Sequence, residues 1–122
     1  MRSPNFPKTG NNRLDEFLQF AFFYFLRGPS FLDVSIDSNY NVKQDDCFLF
    51  VDTSVARTIT LLPLEQASDS QVIFIKDSTG NAGANNITIN GTIDGAVSKT
   101  ISSNWGKLIL KKTPTQYLII GD

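Results

Sequence analysis

The sequence has 122 residues, the size of one modest domain, with a net charge of −1 and 19% charged residues. That balance supplies no electrostatic footprint for nucleic acid or for an anionic membrane surface. Histidine is absent and Cys47 is the one cysteine, which excludes Ser-His and Cys-His nucleophile pairs, thiolate metal clusters and an intrachain disulfide.

Residues 1–12 are rich in Pro, Asn and Gly and show no periodicity, so they read as an extended arm. Residues 13–27 read as a helix. Asn12 can cap its start, with Asp15 reaching back in a variant of the capping box. Asp15 and Glu16 suit the positive end of the dipole and Arg27 the negative end, and Gly28-Pro29 stops the helix. Its body is Leu14, Phe17, Leu18, Phe20, Ala21, Phe22, Phe23, Tyr24, Phe25 and Leu26, apolar on all sides from Phe20 onward. The uninterrupted run from Phe20 to Leu26 is seven residues, whereas a membrane span needs about 20. Acidic residues before the run, and no small-residue cleavage site after it, do not fit a signal peptide. No Lys/Arg face suits a membrane surface. Protein contact is the remaining use of so much exposed Phe, so these ten side chains are expected to serve oligomerisation or anchoring.

Residues 31–45 read as a linker in which 31–36 alternate and can form a short strand. From residue 46 the pattern is β. Strands are expected at 47–51, 57–62, 71–76, 86–90, 97–102, 107–111 and 116–120, each rich in Ile, Val, Thr or aromatics. Asp52-Thr53-Ser54, the loop 77–83, Asn90-Gly91, Asp94-Gly95 and Asn104-Trp105-Gly106 supply turns between them. Asn90-Gly91 is expected to make a hairpin. The stretch 64–68 can form one helical turn. Cys47, in Cys47-Phe48-Leu49-Phe50-Val51, is expected to be a small buried hydrophobe.

The loop 77–86 has one carboxylate, Asp77, too few for calcium, and is expected to hold itself by side-chain-to-backbone bonds. The acidic pairs fall at a helix start (Asp15, Glu16), in the linker (Asp45, Asp46) and in separate loops (Asp77, Asp94), so they compose no catalytic set. Asn86-Ile87-Thr88 and Asn90-Gly91-Thr92 match the glycosylation acceptor pattern, which chance explains in a chain this rich in Asn and Thr. Lys111-Lys112 is too small a basic cluster for nucleic acid. Trp105, flanked by Asn104, is a candidate for stacking on a sugar, with Tyr117 and Phe74 as further aromatics. The expectation is a chain without enzymatic activity, cofactor or metal.

Several segments together carry a resemblance: Val51-Asp52-Thr53-Ser54, Thr58-Ile59-Thr60-Leu61-Leu62-Pro63, Val72-Ile73-Phe74-Ile75-Lys76-Asp77, Gly80-Asn81-Ala82, Asn85-Asn86-Ile87-Thr88-Ile89, Gly91, Ile93-Asp94-Gly95 and Tyr117-Leu118-Ile119-Ile120-Gly121. In that order, residues 46–122 resemble the trimeric β module of viral and phage fibre proteins, whether head, tail or receptor-binding fibres. Such modules often have Gly after the Leu-Pro, where this chain has 65–70 without glycine, and Trp before the last strand, where it has Tyr117.

The resemblance implies a mainly β fold, a small antiparallel sandwich or barrel-like module that trimerises; the pattern of residues 1–30 adds one N-terminal helix and an arm before it. Residues 1–45 lie outside the resemblance; with their reading from the residues themselves the chain divides into three parts: 1–30 arm and Phe-rich helix, 31–45 linker, and 46–122 β domain. The resemblance further implies a virion protein, a short trimeric fibre, spike or decoration protein, and the Phe-rich segment 1–30 is expected to attach it to capsid, neck or tail proteins. The alternative is a host-glycan adhesin using Trp105, Asn104 and Tyr117. Neither reading involves nucleic acid or membrane.

Overall fold

The computed structural model describes residues 32–122. The expected arm, the helix and its ten anchoring residues lie outside the described residues. Leu32–Asp122 forms one compact unit.

The unit is mainly β, and one sheet of nine strands curls into a nearly closed, barrel-like wall. Three successive coils build most of it. The first coil is β1 (Leu32–Ile36) and β2 (Tyr40–Asn41). The second is β3 (Asp46–Val51) and β4 (Arg57–Thr60), and the third is β5 (Val72–Asp77) and β6 (Ile87–Ile93). Each coil lies beside the next in parallel register. Ile36 pairs with Val51 and Val51 with Asp77 along one wall. Tyr40 pairs with Ile59 and Ile59 with Ile89 along the other. β7 (Ala96–Ile101), β8 (Lys107–Lys112) and β9 (Tyr117–Gly121) then add antiparallel pairings, β7 on β6, β8 on β5 and β9 on β8. A single bridge from Ile93 to Tyr117 joins the two walls.

An antiparallel sheet was the expectation, and the structure corrects it: five of the eight pairings are parallel. The cause lies in the corners. Between the two strands of each coil the chain turns out of the sheet plane through Asp37-Ser38, 52–56 or 78–86. The second strand therefore crosses to the opposite wall and does not fold back on the first. The return to the first wall supplies the crossover that parallel strands require.

Each strand expected from the alternation forms within a few residues of its predicted bounds. The short strand at 31–36 appears as β1, and the rest of the expected linker contributes the two-residue β2, so Leu32–Ile36 and Tyr40–Asn41 join the sheet. The single turn at 64–68 appears as well: the Ala67 N–H donates to the Pro63 carbonyl at 3.2 Å. Asn90-Gly91 does not make the hairpin. β6 runs through it with a register shift between Asn90 and Ile93. The reversal falls at Asp94-Gly95, where φ is 48° and 79°, the left-handed pair that a two-residue hairpin turn demands.

The core fills the space between the walls. Leu49, Val51, Ile59, Ile73, Ile75, Ile87, Ile89, Ile93 and Leu110 are fully buried there. At about 25 cal/mol per Å² of apolar surface, burying each such side chain contributes roughly 1.5–3 kcal/mol. Cys47 is buried, as expected.

Candidate functional site

Counting along β5 by twos puts Ile73, Ile75 and Asp77 on one face, and all three are buried. Asp77 thus occupies the inward ladder position that Ile36 and Val51 hold in the first two coils. Asp37 and Asp52 sit one residue later in their own coils and face outward. A one-residue offset flips a side chain across the sheet, and here it drives a carboxylate into the end of the barrel.

A buried carboxylate needs hydrogen-bond donors, and five converge on Asp77. Its Oδ1 accepts from the Thr53 hydroxyl at 2.7 Å, the Gly80 N–H at 2.9 Å and the Thr79 N–H at 3.1 Å. Its Oδ2 accepts from the Trp105 N–H at 2.9 Å and the Ala82 N–H at 3.0 Å. Burial pushes the carboxyl pKa up, but the Thr53 hydroxyl and the N–H groups of Ala82, Trp105 and Gly80 outweigh it. Together they hold the group well below the ordinary carboxylate range.

Thr53 extends the network. Its hydroxyl proton goes to Asp77, so its oxygen accepts from the Asn81 N–H at 3.0 Å and from the Thr79 hydroxyl at 2.9 Å. The Thr53 N–H donates to Thr79 Oγ1 at 2.8 Å, and the Asn85 amide donates to the carbonyls of Thr53 and Ser54. The Gly83 N–H donates to Asn104 Oδ1 at 2.8 Å. One carboxylate therefore ties together three loops: 52–54, 78–85 and 103–106.

The lock presents an aromatic side chain. Trp105 has φ of 62°, a conformation that a bulky residue rarely adopts. Its N–H is held by Asp77, and its carbonyl accepts from Lys76 Nζ. Its ring lies over Gly80, where a Cβ would stand 2.5 Å from indole carbons. Even so, Trp105 is 58% exposed. Asn104, Ser103, Ser102 and Asn81 are exposed nearby in sequence on the same loops. The result is an exposed indole that lies against Gly80, on loops whose backbone is held by Asp77 and Lys76.

Trp105 and Asn104 are thus brought together at the surface. Tyr117 is not with them: it is 1% exposed and its hydroxyl donates to the Leu62 carbonyl at 2.9 Å. Burial pushes that hydroxyl up to about 12. An apolar strand start needed a large filler there, and Tyr117 packs into the core. Phe74 stacks on Phe48, ring centroids 4.7 Å apart, on the outer sheet face.

The remaining charged groups also do structural work. Asp46 is buried and accepts from the Tyr40 hydroxyl at 2.7 Å and the Lys43 N–H at 2.8 Å, while Asp45 is exposed. Burial and then Asp46 raise the Tyr40 hydroxyl to about 12. Asp94 accepts from the Ile119 N–H at 3.0 Å at the hairpin tip and shares no partner with Asp77. Buried Lys112 meets exposed Asp69 at 2.6 Å. Asn86 and Asn90 are exposed. Among the described residues no group of three or more His, Cys, Asp or Glu is placed to hold a metal ion.

Reasoning from sequence foresaw a self-bonded loop after Asp77 but missed that Asp77 is its centre. The signal was available in Ile73-Phe74-Ile75-Lys76-Asp77, whose period of two puts the acid on the apolar face. No protein-family model matches the chain, and no curated protein matches it either.

Proposed function

We propose that the chain is a non-enzymatic structural protein of a virus particle, a short trimeric fibre, spike or decoration protein. Residues 1–30 attach it to other particle proteins, and the β module projects. The observation that carries this reading is the coil of parallel strands. Ile36, Val51 and Asp77, and Tyr40, Ile59 and Ile89, stack coil upon coil. This design extends along one axis and suits a projecting rod. The resemblance of residues 46–122 to fibre modules points the same way. So does the use of each buried charge among the described residues, Asp46, Asp77 and Lys112, in internal hydrogen bonds. The test is sedimentation of the full chain together with incorporation of a 1–30 deletion into particles. Three copies per assembly and loss of incorporation are expected. A monomer at all concentrations, or a deletion that still joins particles, refutes the reading.

One observation favours a second reading, a host-glycan adhesin: Trp105 is pinned by backbone hydrogen bonds yet 58% exposed. Aromatic faces of this kind stack on sugars. A glycan array with the purified chain and Trp105→Ala decides it. Binding that disappears in the variant supports adhesion, and a blank array removes it.

A further inference from the structure

Between β7 and β9 the barrel wall does not close. The single bridge from Ile93 to Tyr117 joins β6 to β9. Past it, β7 pairs with β6 and β9 pairs with β8, and no pairing joins β7 to β9. The gap is a cleft of about 390 Å³, within the roughly 300–1,000 Å³ of small-molecule sites. Its floor is apolar: Ile101, Leu108 and Ile119 line it, and the first two are buried members of the core. Its rim is polar, with Lys99 on β7, Ser102 and Ser103 on the loop that follows, and Lys107 on β8.

Lys99 stands where the strand pattern calls for an apolar residue. Its register partner on β6 is the fully buried Ile89, and Ile101, two residues on, pairs with the fully buried Ile87. The alternation of β7 therefore sends Lys99 to the core-facing side of the strand, where it is half-buried. Among the described residues its ammonium makes no hydrogen bond and no ion pair. The neighbouring lysines are engaged. Lys107 Nζ donates to the main-chain oxygen of Asp122 at 3.1 Å, and Lys76, the register partner of Lys107, donates to the Trp105 carbonyl. Asp122 brings the one carboxylate side chain of the lining; it is exposed and forms no ion pair with Lys99. Lys99 is thus the one cation at the cleft without a partner.

We propose that this cleft seats the carboxylate of an acidic sugar, with the Lys99 ammonium as its counter-ion. The proposal rests on the host-glycan reading and names the class of sugar that Trp105 alone leaves open. A sugar ring has an apolar C–H face for the floor of Ile101, Leu108 and Ile119, and hydroxyls for Ser102 and Ser103. Its carboxylate gives Lys99 the charge-assisted hydrogen bond that the chain itself does not supply. The loop 102–106 that forms the rim also carries the exposed Trp105, so a further ring of the same glycan finds a stacking surface on that loop. A lysine on the inner side of an edge strand also deters pairing with other sheets, but that role uses neither the cleft nor its hydroxyls.

The experiment is titration calorimetry of the full chain with sialyllactose and tri-galacturonate, against lactose and methyl-esterified tri-galacturonate as their neutral counterparts. An acidic probe is expected to bind roughly tenfold or more tightly than its neutral counterpart, and to weaken with added salt. Lys99→Gln is expected to abolish that preference and Lys99→Arg to keep it, with thermal melts verifying that both variants fold. Equal binding of acidic and neutral probes overturns the choice of acidic sugars and leaves the glycan reading standing. An acidic preference that survives in Lys99→Gln overturns the cleft and leaves Lys99 as an edge guard. A wild type that binds neither acidic probe, while the array shows sugars bound through Trp105, overturns this proposal alone. A blank array overturns it together with the glycan reading.

Discussion

Replacing Asp77 by Asn changes one atom of the side chain and removes its charge. If the remaining oxygen stays with Thr53, Thr79 and Gly80, the new amide NH2 faces the N–H groups of Ala82 and Trp105, donor against donor. Two charge-assisted hydrogen bonds are lost, each worth about 1.5–3 kcal/mol. Water entering beside the exposed Trp105 loop recovers part of this, so the net loss is about 3 kcal/mol. That is a large share of the roughly 5–15 kcal/mol available to a small domain. It lowers the melting temperature by about 12–24 °C, at roughly 4–8 °C per kcal/mol. Urea unfolding followed by the fluorescence of Trp105, the chain's one tryptophan, measures it directly. Asp94→Asn is the control, since Asp94 is exposed and holds a single backbone N–H. The effect also has a sign in pH. The folded carboxyl titrates below its unfolded value of about 3.9. Its stabilisation is therefore complete above pH 4 and is lost as pH falls below that. The wild type should lose stability on this acid limb, and the variant should show a shallower loss. A variant within about 0.5 kcal/mol of wild type at pH 7 would mean that Asp77 is not the lock.

Three further outcomes follow from the geometry. Gly80→Ala introduces a left-handed alanine, φ +82°, and drives its Cβ into the indole, whereas Gly95→Ala at φ +79° meets nothing within 4 Å. Both cost about 1–2 kcal/mol for the backbone, but only Gly80→Ala should also shift the tryptophan emission, a difference visible in one fluorescence spectrum. Tyr117→Phe should cost about 1 kcal/mol in urea unfolding by stranding the Leu62 carbonyl. Tyr40 and Tyr117 ionise near 12 when folded and near 10 when unfolded. Stability is thus complete below pH 10 and declines from 10 to 12. An alkaline melt series showing no decline in that window would contradict the partly buried, hydrogen-bonded placement of both hydroxyls.

Much of this protein was legible one strand at a time. Thr58-Ile59-Thr60 and Asn86-Ile87-Thr88-Ile89 announce their inward residues by alternation, and Ile59, Ile87 and Ile89 are indeed fully buried. That works because period-two patterning is a local property of the pleat. The hairpin was harder to place, since Asn90-Gly91 and Asp94-Gly95 offer the same turn chemistry. What decides between them is distant. At Gly91 the chain passes against Leu61, leaving no room for a Cβ, and Asp94 and Gly95 are held by Ile119 and Gln116.

Strand direction and strand partner lay beyond the sequence altogether. β1 meets β3 and β2 meets β4 only because the corners swing successive strands to opposite walls, and no residue within either strand records that choice. The same holds for Asp77. Alternation alone puts it on the inner face. That it is a satisfied anchor depends on Thr53, 24 residues earlier, and Trp105, 28 residues later, arriving at its two oxygens. By itself the sequence determined where most strands would run and which side chains of such strands as 58–60 and 86–89 would turn inward, because those follow from local periodicity. Only the tertiary structure decided that they coil in parallel and close around one carboxylate, because pairing and satisfaction of a buried charge are agreements between segments far apart in the chain.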